Sequence, residues 1–240
     1  MRETDRERGN MSIIIIAGML PAFILLYFIY KQDKIEKEPM GLIIKLFILG
    51  GLMTIPAGIA ESFFIPIAMN LLAGGSGLLF LLVENFLIVG LAEEGFKRLV
   101  MRGLTWNHPA FNYRFDGVVY GVAVSLGFAA FENVMYVMGY GLGIAPIRAV
   151  TAIPLHCIVG VFMGHYYGMS RFYAVRGKEI QSRRNQKLSL WVPVLIHGLY
   201  DFAAVAGSPA MEAGFLAFIV ILDIIAISAV RRFARNDQPA

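Results

Sequence analysis

The chain has 240 residues, of which 58% are hydrophobic and only 16% are charged. A soluble domain carries nearer a quarter charged residues, and the mean hydropathy of +0.65 also points to a membrane protein. The net charge of +4 is small, and the basic residues cluster between apolar runs, which indicates membrane topology and no nucleic-acid partner. We therefore predict a multi-pass protein of the cell membrane. Its single cysteine, Cys157, excludes an intrachain disulfide.

Apolar runs in the chain are long enough to cross a hydrocarbon core of about 30 Å as helices. Open sheets cannot satisfy their backbone groups in lipid. The predicted fold class is therefore all-α, a polytopic transmembrane helical bundle, with residues 1–240 forming one integral membrane domain. The first run lacks a convincing cleavage site and is predicted to be a retained span. The predicted spans, about seven, cover residues 12–30, 41–60, 77–97, 117–140, 146–170, 190–206 and 212–231.

Lysine and arginine are distributed unevenly between the connections. The loop 171–189 and the C-terminal stretch RRFAR are strongly basic, whereas 61–76 and 207–211 contain neither residue. Connections rich in lysine and arginine usually lie on the cytoplasmic side of a membrane. The C-terminus and the basic loops are thus predicted to lie inside, with the N-terminus outside.

The third predicted span ends in the stretch LAEEGFKRLV, which contains several ionisable groups. Glu93 and Lys97 are spaced i,i+4 and share a helix face, and the same holds for Glu94 and Arg98. One interpretation is an interfacial helix end with surface ion pairs. The other is a buried pair of carboxylates, one acting as a base on water and the other as an acid. An ionised group inside the bilayer costs roughly 2.5–3.5 kcal/mol, so buried charges favour a functional interpretation.

Two further i,i+4 pairs lie in later spans. In FENVMY, Glu132 and Tyr136 share a face. The tyrosine either satisfies a buried carboxyl or assists an active-site acid or metal ligand. In HGLYDF, Asp201 can hold one nitrogen of His197 and leave the other for a proton or a metal.

The fifth predicted span carries two histidines. His156 and His165 are nine residues apart, roughly 180° around a helix, so they are not expected to face one site. His156 lies deeper and is the candidate, and His165 is interfacial. The same span carries a stripe of small residues that predicts close helix packing, formed by Gly160, Gly164 and Gly168.

The available chemistry is water activation by carboxylate and imidazole groups, with or without a metal. The zincin signature His-Glu-x-x-His is absent from the sequence, so a divalent metal such as zinc would draw single ligands from several spans. The candidate metal ligands are Glu132, His156 and His197. A proton- or cation-coupled membrane transporter is the alternative, because buried acids and histidines also form proton relays. The chain shows no inverted repeat of the kind that many transporters carry.

Four motifs, in this order, resemble those of the PrsW family of intramembrane proteases: EEGFK, FENVMY, HCIVGVFMG and HGLYDF. The resemblance extends from about Pro21 to Phe202. It implies that the single domain is a membrane-embedded peptidase. Its substrate would be a membrane-anchored protein, an anti-sigma factor whose cleavage is the first cut of a signalling cascade.

The motifs are also distantly similar to those of the CAAX-processing and bacteriocin-processing proteases. Those families carry His-x-x-x-Asn where this chain has His197-x-x-x-Asp201. Phe128-x-x-x-Glu132 occupies the place of their Phe-x-x-x-His motif. These departures leave both a metal-free glutamate mechanism and a metal site open.

We hypothesise that Glu93 or Glu94 activates a water molecule and that His197, oriented by Asp201, shares that water or stabilises the oxyanion. His156 and Glu132 would serve as proton carriers or ligands. Counted from the predicted span ends, Glu93 and His197 lie about 10 Å from the inner face and Glu132 about 20 Å, which is a mismatch. Glu84, His165 and Asp223 match no motif and are expected to be structural. The candidate catalytic residues are Glu93, Glu94, Glu132, His156, His197 and Asp201, with Lys97 and Tyr136 in support.

Overall fold

The computed structural model describes residues 3–72, 77–205 and 209–240. Within these ranges the chain is helical and forms no strand, only an isolated bridge between Tyr113 and Pro239. The predicted all-α class is confirmed. The helices are α1 (Glu3–Gln32), α2 (Met40–Leu52), α3 (Thr54–Leu71), α4 (Leu78–Leu82), α5 (Leu91–Thr105), α6 (Arg114–Tyr140), α7 (Ala145–Val150), α8 (Ala152–Ala174), α9 (Glu179–Ala204) and α10 (Pro209–Arg235).

Five helical stretches of the described chain are long and apolar enough to cross a membrane. α2 and α3 together form one of them, and α7 and α8 belong to another. The other two predicted spans fall in the helix Leu78–Thr105 and in α9, which carry most of the predicted site residues. The polytopic bundle is therefore confirmed. The five stretches are Ser12–Gln32, Met40–Leu71, Arg114–Tyr140, Leu142–Ala174 and Ala213–Arg235.

The basic connections and the C-terminal residues meet at one end of the bundle. The Asn112 carbonyl accepts a hydrogen bond from the Ala240 N–H at 2.6 Å, and the Asn112 amide donates to Glu36 at 3.0 Å. Arg176, between α8 and α9, donates to the Pro239 carbonyl at 3.1 Å. The chain order then brings the start of α1 to the opposite end of the bundle.

Glycines allow α6 and α8 to pack with their backbones in contact. A Cβ atom added to Gly117 would lie 2.5 Å from the Gly164 carbonyl oxygen, and one added to Gly160 would lie 2.7 Å from the Gly121 carbonyl oxygen. Real Cβ atoms do not approach oxygen this closely. The predicted glycine stripe is therefore a packing seam, and α6 opposite it contributes glycines of its own.

A π-helical segment, Val83–Gly90, joins α4 to α5 within one continuous helix. Such segments place one extra residue in a turn and often lie at functional sites. A Cβ atom on Gly90 would lie 3.3 Å from the Val194 carbonyl oxygen of α9, and one on Gly198 would lie 2.5 Å from the Phe86 ring. The two helices thus approach closely beside the start of α5.

Two helices that carry site residues extend beyond the predicted spans. α5 continues to Thr105, and α9 begins at Glu179, whereas the predicted spans ended at residue 97 and began at residue 190. At 1.5 Å per residue, His197 and Glu132 each lie about 27 Å from the inner ends of their helices. Glu93 lies about 18 Å from the end of α5 on the same count. The difference in position along the helices does not separate the residues, because Glu132 contacts His156 and His197 contacts Glu94.

We expect Gly121→Ala to lower the free energy of unfolding by about 1–3 kcal/mol, because the added methyl group would overlap the α8 backbone. Gly139→Ala, in the same helix, is the matched control, since a Cβ atom there meets no atom within 4 Å. Denaturation of the purified protein in detergent measures both changes. Equal stabilities of the two variants would contradict the role of the glycine seam.

Candidate active site

Lys97 lies at the centre of a buried polar cluster. Its ammonium donates to Glu93 Oε2 at 3.0 Å and to Glu94 Oε1 at 2.7 Å, and it contacts His156 Nδ1 at 3.0 Å. The Phe128 ring covers it, with the ring centroid 4.1 Å from Nζ. An ammonium group only donates, so Nδ1 of His156 is the acceptor. The lysine therefore joins α5 to α8 and also defines the tautomer of that imidazole.

His156 carries its proton on the other nitrogen. Its Nε2 lies 3.0 Å from Glu132 Oε2, to which it donates. Arg148 donates to the same carboxylate oxygen at 2.9 Å through Nη2, and its Nε donates to Asn133 Oδ1 at 2.9 Å. Asn133 in turn donates to the Gly18 carbonyl of α1. A chain of hydrogen bonds that runs from Glu132 through Arg148 and Asn133 to α1 thus fixes the orientation of the imidazole.

His197 faces carboxylates with both of its ring nitrogens. Nδ1 lies 2.8 Å from Glu94 Oε1, while Nε2 lies 3.3 Å from Asp201 Oδ2 and 3.8 Å from Glu93 Oε2. The rings of His197 and His156 meet edge to face, with centroids 5.4 Å apart. Three helices, α5, α8 and α9, therefore bring carboxylate and imidazole groups to one point.

The cluster borders a cavity of about 380 Å³. Glu93 reaches this cavity and is 5% exposed, whereas Glu94 and Lys97 are fully buried behind it. The two adjacent glutamates therefore have different environments, and only Glu93 has access to a bound water or substrate. The other site residues that line the cavity are Glu132, His156, His197 and Asp201.

The cluster has the donor atoms of a metal site. One ligand atom from each of four buried residues lies within 4.8 Å of the others. Glu94 Oε2 is buried and has no hydrogen-bond partner among the described residues, which leaves a free ligand oxygen. Carboxylate oxygen and imidazole nitrogen are ligands that zinc accepts, so the residues fit a divalent metal. The four residues are Glu93, Glu94, His156 and His197.

Several sequence-based expectations change in the structure. The burial of Glu93 and Glu94 excludes the interpretation as surface ion pairs. The expected pairing of Glu94 with Arg98 is wrong, because Glu94 bonds Lys97 and His197, while Arg98 donates to the Gln186 carbonyl at 3.0 Å. Lys97 thus pairs with Glu93 at i,i+4 and with Glu94 at i,i+3, and His197 of α9 supplies the second partner of Glu94.

Tyr136 lies at the cavity, as its i,i+4 spacing from Glu132 predicts. Its ring packs against the Arg148 guanidinium at 3.7 Å, and the hydrogen bonds to Glu132 come from Arg148 and His156. The tyrosine thus contacts the arginine that holds the acid. His165 stacks on Phe233 with centroids 3.7 Å apart, on another face of α8. The predicted opposition of the two histidines is confirmed.

Three residues of the cavity were not expected from the sequence. Arg148 lies in the short helix α7, in a connection that the predicted fifth span partly covered, and its charge was not assigned a partner. Glu61 of α3 and Glu84 of the π-helical segment also line the cavity. Glu84 was expected to be structural. For Glu61, the only signal in the sequence that could have indicated a functional residue was its position within an apolar run.

The comparisons with known proteins agree on one family. The family model described as PrsW family intramembrane metalloprotease matches residues 38–228. The chain is 36% identical to Protease PrsW of Bacillus subtilis, over 82% of this chain and 84% of that protein. It is 34% identical to Protease PrsW of Oceanobacillus iheyensis, over 94% of this chain and 98% of that protein. It is 25% identical to Protease PrsW of Clostridioides difficile, over 94% and 93%.

No solved structure matches the chain. The family model covers most of the chain and includes every residue of the buried cluster. The transporter alternative loses its support, because the family model and the named relatives are those of proteases. The chain belongs to the PrsW family of intramembrane metalloproteases and is a multi-pass membrane protease.

Proposed function

We propose that the enzyme hydrolyses a peptide bond of a membrane-anchored protein, with Glu93 as the base that activates water. The observation that carries this proposal is the difference between the paired glutamates. Glu93 borders the cavity, and Glu94 is enclosed by Lys97 and His197. A base must reach both the water and the substrate.

Lys97 keeps the Glu93 carboxylate in place at 3.0 Å. A water molecule in the cavity would give its proton to Glu93, and its oxygen would attack the substrate carbonyl carbon. The proton would then pass to the amine of the leaving segment. Each step uses a group that the cavity already presents, and no covalent enzyme intermediate is required.

His197 is proposed to stabilise the oxyanion that develops on the substrate carbonyl. Its Nδ1 is held by Glu94 at 2.8 Å and its Nε2 lies 3.3 Å from Asp201. Glu94 therefore fixes the ring before substrate arrives, and Nε2, which faces the cavity side of the cluster, remains the nitrogen that can donate to the oxyanion. Asp201 is a positioning residue in this scheme, because it acts through the imidazole.

His156 is proposed as a metal ligand through Nδ1, with Glu132 as its positioning partner. Glu132 accepts the hydrogen bond of the Nε2–H group and is itself held by Arg148, which is the usual arrangement behind a metal-bound histidine. This assigns Glu132 a supporting position rather than that of a ligand. Lys97 bonds the same Nδ1 atom, so a metal ion would compete with the ammonium for it.

Glu94, His156 and His197, with Glu93 beside them, are the residues that would hold zinc or a similar divalent ion. When bound, the ion would supply Lewis acidity and a bound water that ionises near neutral pH. The unpartnered oxygen of Glu94 supports this assignment. A mechanism with glutamate alone uses the same base, Glu93, and it is in that mechanism that His197 acts as the oxyanion donor and not as a ligand.

The substrate is proposed to be an anti-sigma factor with a single membrane anchor, cut in the first step of a regulated cascade. The cavity adjoins residues near the outer ends of α6 and α9, such as Tyr136 and Val205. An extended segment entering there would bring its backbone carbonyl to Glu93. Its flanking residues would meet a lining rich in carboxylates, including Glu61 and Glu84.

We expect Glu93→Gln to lower proteolytic activity by about 10²–10⁴-fold, because the amide cannot accept a proton from water. Asp201→Asn should cost about 10–100-fold, since it acts only by orienting His197. Cleavage of a co-expressed single-span anti-sigma factor, followed on a gel, measures both. Glu179→Gln, which replaces an exposed acid at the start of α9, is the matched control.

Full activity of Glu93→Gln would exclude it as the base. If the unaltered enzyme cleaved no single-span anti-sigma factor, that result would instead contradict the substrate assignment. Unrelated membrane-anchored proteins in the same assay distinguish the two results. Their cleavage by the unaltered enzyme would show an active protease with a different substrate.

We expect the purified enzyme to contain about one divalent metal per chain, measured by elemental analysis. His156→Ala and His197→Ala should lower that content severalfold, and Glu179→Gln should not. A strong chelator should abolish cleavage, and zinc should restore it. Full activity in the chelated, metal-free enzyme would contradict the metal assignment and select the glutamate mechanism with Lys97 as the resident cation.

A further inference from the structure

A second cluster of buried acids lies at the inner end of the bundle. Asp33 and Glu38 belong to the α1–α2 connection, and Asp116 belongs to the first turn of α6. Each residue is at most 3% exposed, and one oxygen of each lies within 4.8 Å of the others. Asp116 precedes Glu132 by sixteen residues, about 24 Å along the helix, so this acidic triad is separate from the active site.

The nearest lysine does not neutralise the triad. Lys37 donates to the backbone carbonyls of Tyr30, at 2.6 Å, and Asp33, and its ammonium lies over the Tyr30 ring. Asp33 Oδ2 is buried and accepts no hydrogen bond from the described residues. A buried carboxylate oxygen is costly unless a partner satisfies it, and a cation can satisfy it together with the neighbouring carboxylates.

The other two carboxylates are held in position by donors of fixed location. Asp116 Oδ2 accepts the backbone N–H groups of Asn112, at 2.9 Å, and Tyr113, at 2.6 Å. Glu38 accepts the hydroxyl of the buried Tyr120. These donors orient the acids without supplying a full positive charge, so the triad keeps its geometry.

Burial raises the pKa of Asp33 to about 6 and that of Glu38 to about 7, and the neighbouring acids contribute to both increases. The charged forms are therefore costly unless a cation compensates them. Lys37 lowers the pKa of Asp33 only in part.

We propose that Asp33, Glu38 and Asp116 bind a hard divalent cation, Mg²⁺ or Ca²⁺, on the cytoplasmic side of the membrane. All three ligands are carboxylate oxygens, which these ions prefer, and the site contains none of the imidazole nitrogens present in the active site. Water completes the coordination shell of Mg²⁺ in most protein sites. The ion ties the α1–α2 connection to the start of α6, beside the segment Asn236–Ala240.

The test is thermal unfolding of the full-length protein in detergent, first treated with chelator and then titrated with Mg²⁺ or Ca²⁺. At saturating cation we expect the Tm to rise by about 5 °C, because the ion binds only the folded state. The comparison of the two ions identifies the preferred one. Retention of the shift in Glu94→Gln separates the triad from the active-site cluster.

Asp33→Asn should remove the cation-dependent shift and, without cation, should give a higher Tm than the unaltered protein, because one buried like charge is lost. Glu36→Gln is the matched control, since Glu36 lies in the same connection at the surface. It should keep the full shift. Glu38→Gln provides the same comparison if Asp33→Asn does not fold.

Equal cation shifts in Asp33→Asn and the unaltered protein would overturn the proposal. So would the absence of any shift at 10 mM of either ion, on the order of a hundredfold excess over a submillimolar Kd. In that case a proton shared between Glu38 and Asp116 is the occupant.

Discussion

The buried ammonium of Lys97 is the interaction on which the active site depends. It has three acceptors, Glu93, Glu94 and His156, from two helices. A charge enclosed in a bilayer is costly unless it is paired and hydrogen-bonded. Removing the lysine would leave two buried carboxylates uncompensated, which typically costs about 3–5 kcal/mol. The same ammonium defines which nitrogen of His156 carries the proton, so it connects stability to chemistry.

The glycine seam and the candidate active site lie in different halves of the bundle. Near the inner end, glycines of α6 and α8 place the two backbones in contact, as at Gly117 and Gly164. Farther along the same helices, Glu132 and His156 are in direct contact, with Glu132 Oε2 3.0 Å from His156 Nε2. A glycine also allows close packing between α5 and α9. Gly90, at the end of the π-helical segment, lets the α9 backbone approach the start of α5. Rigid seams therefore hold the polar groups around a cavity without filling it.

Two acidic clusters with different donors lie at different depths. The active-site cluster combines carboxylates with imidazoles and contains its own cation, Lys97. The acidic triad around Asp33 has only oxygen donors, and its neighbouring lysine is directed to backbone carbonyls. The chemistry of the donors thus separates a site suited to zinc and water activation from one suited to a hard structural cation.

The sequence by itself determined the membrane class, the motifs and the faces of single helices. The i,i+4 relation of His197 to Asp201 and the opposed directions of His156 and His165 follow from helix geometry alone. Only the tertiary structure decided that Glu94 pairs with Lys97 rather than Arg98, and that Arg148 from a short connecting helix holds Glu132. Spacing along the chain defines which residues share a face. The rotation and depth of one helix against another are set by close packing between helices, and no periodicity within a single helix contains that information.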